Sequence, residues 1–145
     1  MALAGCGAQE HVNDPRPQPP TRVSVSIGED AVGVQPRRIA FGPGSPREQI
    51  PQNAHVKQPR VDSREPLNVV FVAANLTDVD SHLEIRGQGK ELTSAALYRN
   101  SNITLQTILP TGVYTISAAD IPAAKPAKLV VGPYRTSSEN NVLLP

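Results

Sequence analysis

The stretch that most constrains this chain runs from Leu67 to Ile85. An apolar run of Val, Phe and Ala, LNVVFVAAN, ends at Asn75; the polar turn LTDVDS follows, and a second short run, HLEI, alternates again from His82. Alternation broken by a polar turn reads as two strands of a sheet joined by a loop. The flanking segments repeat the pattern. Val23, Val25 and Ile27 alternate with Ser24 and Ser26, and Gly28-Glu29-Asp30 turns that strand toward a second segment from Val32 to Phe41. Pro36 within the second segment belongs at an edge or a bulge. Ile103 to Leu109 and Val113 to Ile116, joined through Pro110-Thr111-Gly112, read as a hairpin. Lys128 to Gly132 is a last full strand, and Val142-Leu143-Leu144 a terminal fragment. Glu91 to Asn100 holds a brief turn or a short strand at Ala96 to Tyr98, and 42–66, with five prolines, reads as one long loop, either unstructured throughout or with a short strand pairing at its middle.

Composition agrees with sheet. Fifteen prolines and ten glycines, with no Trp, two Phe and three Tyr, describe many turns around a light core of Val, Ile, Leu and Ala. About eight short strands with turns between them favour an all-β sandwich. A formal net charge of +1, spread without long runs, gives no surface of the kind a phosphate backbone needs, so no nucleic-acid partner is expected. No window approaches eighteen consecutive apolar residues, which leaves no transmembrane helix in the chain as given.

The sole cysteine is Cys6, and Leu3-Ala4-Gly5-Cys6 resembles the lipobox that ends bacterial lipoprotein signal peptides. The resemblance implies that the Cys6 thiol is acylated and becomes the first mature residue. Small residues before the cleavage site fit an extended segment into a peptidase cleft. Only five residues precede the Cys, whereas a signal needs a basic region and an apolar stretch of about 7 to 15 residues, so the true start is expected upstream of Met1. The competing reading is a cytosolic protein with a chance Leu-Ala-Gly-Cys. Gly7 to Pro20, ending Pro15-Arg16-Pro17-Gln18-Pro19-Pro20, is expected to be a disordered polyproline II tether reaching roughly 40 Å at about 3.1 Å per residue. The organisation expected is therefore a signal remnant at 1–6, a tether at 7–20 and a sandwich at 21–145.

The order of segments also resembles a cupredoxin. An early strand (Val23 to Ile27), a Pro-containing strand (Gln35 to Phe41), a strand ending in Asn75, a His opening the next strand (His82 to Ile85) and the hairpin Leu109-Pro110-Thr111-Gly112-Val113-Tyr114 follow that family's sequence of elements. The resemblance implies a Greek-key sandwich. Its copper chemistry does not carry over: a type 1 site takes two His and a Cys thiolate, usually with an axial Met. His82 stands where the first His ligand would be, but Ala118 occupies the Cys position, and no Cys, His or Met follows His82. What the resemblance leaves is a shell of the kind that serves as a binding or structural domain.

Other chemistry is sparse. Asp78, Asp80 and His82 form Asp-x-Asp-x-His on a loop, which can ligate a divalent ion through carboxylate and imidazole. The bland reading has the two Asp as turn formers and His82 at a strand edge. His11 and His55 are far away in sequence. No Gly-x-Ser-x-Gly elbow appears, Gly42-Pro43-Gly44 and Gly87-Gln88-Gly89-Lys90 read as turns rather than phosphate loops, and no enzyme activity or cofactor is expected. Tyr114 is expected in the core with its hydroxyl on a backbone partner, and Tyr134 in a polar loop. The two Asn-x-Thr sequences, at Asn75 and Asn102, are coincidental in a bacterial lipoprotein. The expectation is a non-catalytic envelope lipoprotein, extracytoplasmic and lipid-anchored to the cell membrane, that meets an envelope protein or small ligand. The alternative is copper or zinc handling through His82, Asp78 and Asp80.

Overall fold

The computed structural model describes residues 20–41, 61–62 and 66–135. The signal remnant with Cys6, the tether up to residue 19, His11, His55, most of the 42–66 loop and the Val142 to Leu144 fragment lie outside the described residues. Ten strands and no helix are found among them: β1 (Thr21–Ile27), β2 (Val32–Gln35), β3 (Arg38–Phe41), β4 (Val61–Asp62), β5 (Leu67–Asn75), β6 (Leu83–Gly87), β7 (Lys90–Thr93), β8 (Asn102–Leu109), β9 (Gly112–Ala118) and β10 (Ala127–Arg135). They form two sheets, one ordered β2-β1-β5-β8 and the other β3-β10-β9-β6-β7, with β4 paired to the end of β10. After β6, β7 and β8, strand β9 returns to lie beside β6, the return that defines a Greek key. The protein is an all-β, Greek-key sandwich.

Its core is the sum of period-two faces. Val23, Val25 and Ile27 of β1 point inward, as do Leu67, Val69, Phe71 and Ala73 of β5, and they meet Leu83 and Ile85 of β6, Tyr114 and Ile116 of β9, and Leu129 and Val131 of β10. β5 is an inner strand of its sheet, between β1 in parallel and β8 antiparallel, and on its outer face Val70, Val72 and Ala74 are half-covered. Tyr114 is fully buried, and its hydroxyl donates to the Pro110 carbonyl at 2.8 Å. Burial pushes that phenol above the ordinary tyrosine pKa. Both results match the expectation for this residue.

Five expectations need correction. β5 and β6 are not neighbours in one sheet; they belong to opposite sheets and face each other across the core. β8 and β9 likewise form an arch between the sheets, not a hairpin, since β8 pairs with β5 and β9 with β6 and β10. Inward periodicity is identical for a hairpin and an arch, so alternation alone does not separate them. The Val32 to Phe41 segment splits into two strands in different sheets. Pro36 offers no N–H to continue the first ladder, and the chain enters the second at Arg38. Finally, Lys90 to Thr93 is a strand hairpinned to β6 through Gln88 and Gly89 at positive φ, whereas Ala96 to Tyr98 contributes only the isolated bridge Ser81↔Leu97. Tyr134 also belongs to β10, opposite Asp62 and Phe41, instead of a loop.

Candidate functional site

The loops at one end of the sandwich are bound into a single frame. β5 ends there at Asn75, a fully buried side chain. Its Nδ2 donates to the carbonyls of Val79 (2.8 Å) and Leu97 (3.1 Å), and its Oδ1 accepts from the backbone N–H of Thr77 (3.1 Å) and from Thr77 Oγ1 (2.8 Å). An amide has two donors and an acceptor oxygen with two lone pairs, and here all four are used. Thr77 Oγ1 also lies 3.1 Å from the Val79 carbonyl; with one proton, it gives it to the nearer Asn75 oxygen. One side chain thus folds the 76–81 turn on itself and ties it to the 94–98 segment, 22 residues away in sequence.

Around this centre the neighbouring loops lock in turn. Ser81 and Leu97 exchange both backbone hydrogen bonds, Ser94 Oγ accepts from Leu83 N–H at 2.9 Å, and the buried Ser81 hydroxyl accepts from Asp120 N–H at 3.2 Å. The Ala119 N–H donates to the His82 carbonyl, and the Arg99 N–H to Asp80 Oδ1 at 2.8 Å. Among the described residues no buried side-chain polar atom is left without a partner. A fully satisfied polar network of this kind rigidifies what it holds.

What it holds is apolar and exposed. Leu76 is 66% accessible, Val79 50% and Tyr98 62%. All three lie on the two loops that Asn75 joins, and Leu97, next to Tyr98, is fully buried, so the same segment anchors inward and projects outward. Large apolar side chains kept in water on a rigid frame are the usual material of an interaction surface. Asp78, Asp80, Arg99, His82 and Asp120 surround them on the same end.

The expected metal donors do not converge. His82 Nδ1 sits 2.9 Å from Asp120 Oδ2, both side chains about half exposed, and Asp80 is turned to the Arg99 backbone. Among the described residues no group of three or more His, Cys, Asp or Glu side chains is placed to hold a metal ion. Asp78, Asp80 and His82 are therefore together in sequence but not as a donor set. Asp120 is the partner sequence spacing did not reveal, because it arrives from the loop after β9, 38 residues on. Ala118, at the position the resemblance gives to a Cys ligand, ends β9 opposite Leu83 with a buried methyl. Elsewhere, a shallow open trough of about 470 Å³ crosses the outer face of β2, β1 and β5 over Ser24, Ser26, Gly33 and Ala74, with Arg37 at its side.

No protein-family model matches the chain, and no curated protein does. Among solved structures, a reduced amicyanin mutant, a cupredoxin, is similar at a TM-score of 0.35 and 13% identity, covering 44% of this chain and 62% of that one. The chain thus spans less than two thirds of that protein's length. The architecture rests on the strand order itself, two sheets ordered β2-β1-β5-β8 and β3-β10-β9-β6-β7.

Proposed function

We propose that this protein is a non-catalytic binding module of the bacterial cell envelope, held at the membrane through a lipid on Cys6, whose loop end docks a partner protein. The observation that carries the reading is the exposure of Leu76, Val79 and Tyr98 on loops that Asn75 and its neighbours hold rigid. Preorganised loops lose little conformational entropy on binding, and an exposed Tyr beside aliphatic neighbours supplies the contact area typical of interface hot spots. The polar rim of Asp78, Asp80 and Arg99 gives register without a dominant charge. The membrane address rests on Leu3-Ala4-Gly5-Cys6 alone.

Two measurements test the two halves. In the chain expressed from its own gene, Cys6→Ser is expected to move the protein from the membrane fraction to the soluble one; an unchanged distribution overturns the anchor. A photo-crosslinking residue at Tyr98 is expected to trap one discrete adduct that disappears when Leu76→Ser and Val79→Ser are added, while the same probe at Ser24 on the sheet face traps none. Equal adducts from both positions, or none from Tyr98, overturn the docking end.

A further inference from the structure

β8 is an open strand edge of unusual length for this molecule. In an antiparallel ladder the N–H and C=O of a residue point to the same neighbour, alternating along the strand. The Ser101 carbonyl accepts from Asn75 N–H, so the odd-numbered residues of this segment face β5, and Asn102, Thr104, Gln106 and Ile108 turn their backbone groups away from the sheet. The Ile108 carbonyl is taken by the Lys90 ammonium from β7. The N–H and C=O of Thr104 and Gln106 have no partner among the described residues.

Proteins blunt such edges by keeping them short, charging them, or breaking them with proline or a bulge. The other edges here follow the rule: β2 has four residues and runs into Pro36, β3 has four, and β7 has four and carries Lys90 and Glu91. β8 has eight residues, Asn-Ile-Thr-Leu-Gln-Thr-Ile-Leu, with no charge, proline or glycine, and pairs with β5 over its full length without a bulge.

We infer that β8 is a self-association edge, through which two copies of this chain pair antiparallel about a two-fold axis at Leu105 to join their four-stranded sheets. The strand is complementary to itself in that register. Thr104 of each copy meets Gln106 of the other and exchanges two main-chain hydrogen bonds, giving four across the axis while Lys90 keeps the Ile108 carbonyl. On the inner side Leu105 meets Leu105 and Ile103 meets Thr107; these are half-exposed side chains, and Ile103 and Leu105 already lean on the core rim. On the outer side Thr104 faces Gln106, both exposed and neutral, so self-pairing brings no like charges together. A C2 interface needs this identity of patch with itself. The edge begins beside the loop end at Asn102, but the pairing centred on Leu105 uses none of Leu76, Val79 and Tyr98 and does not rest on the docking proposed there.

The test is sedimentation of the full chain from low micromolar to near-millimolar concentration, with two double variants. Thr104→Lys with Gln106→Lys sets ammonium groups directly opposite one another and is expected to weaken dimerisation at least tenfold. Thr104→Lys with Gln106→Glu sets opposite charges across the axis and is expected to restore it. Both change only exposed side chains, so thermal melting at a concentration where all are monomeric is expected to agree within a few degrees. A wild-type chain that stays monomeric throughout overturns the inference. So does a dimer that both variants leave intact, or that both weaken equally.

Discussion

Asn75 concentrates more of the loop end's order than any other single side chain. Its replacement by alanine leaves the buried Thr77 N–H without its partner and Leu97 O with only the Ser81 N–H, while the Thr77 hydroxyl turns to the Val79 carbonyl. Unsatisfied buried groups cost about 1–3 kcal/mol each, and Asn75→Ala is expected to destabilise by about 3 kcal/mol. Urea unfolding measures the total. Amide exchange should show the local share first, with protection in 76–81 and 94–98 falling below that of β5 and β9. Tyr114 offers a second residue-scale test, in pH. Burial raises its pKa in the folded state, so above the ordinary value of about 10 the unfolded chain loses its proton first. Stability contributed by the neutral phenol is fully present below that value and is lost as pH rises from it through the higher pKa of the folded state. Tyr114→Phe is expected to cost about 1 kcal/mol near neutrality, for the bond to Pro110, and to flatten the alkaline fall in melting temperature.

Among the elements, β3 and β10 show where backbone geometry limits substitution. Ala40 adopts φ 61°, and its carbonyl oxygen presses on Gly132, where the β10 register slips between Val131 and Tyr134. A methyl at position 132 would collide with that oxygen, which is backbone and not free to swing away. Gly132→Ala should therefore cost about 1–3 kcal/mol by forcing the strands apart, read as a lower urea midpoint at unchanged m-value. Gly89, in the β6–β7 turn at φ +70°, has open space around it. Gly89→Ala should cost only the left-handed penalty of about 1–2 kcal/mol and leave the sheets' exchange protection intact. β7 itself escaped sequence reading because Lys-Glu-Leu-Thr has one apolar residue in four, and only its pairing with β6 makes it a strand. Strands with an unbroken inward face, such as Val23 to Ile27 and Leu67 to Asn75, were legible because alternation is their own property.

For the whole molecule, what the sequence leaves unspoken is partnership across distance. Period and turn chemistry announce strands, yet which sheet each joins depends on how the loops close, so β5–β6 and β8–β9 look like neighbours in one dimension and lie in opposite sheets in three. The candidate site follows the same rule. Asn75 and Asp80 are legible as turn formers, but their bonds to Leu97 and Arg99, like the Asp120 arm of the His82 pair, come from loops that only the sandwich brings near. Apolar residues in a polar turn, Leu76 and Val79, were the signal available in advance. β1 runs from Thr21 toward the loop end, where the Ile27 carbonyl accepts from Leu76 N–H, and β10 runs away from it to Arg135, so both ends of the described body leave at the far pole. A molecule held by its N-terminus and pulled through the loop end would carry the load along β1. The bonds of β1 to β2 and β5 would then be strained in shear, all at once, instead of unzipping one by one.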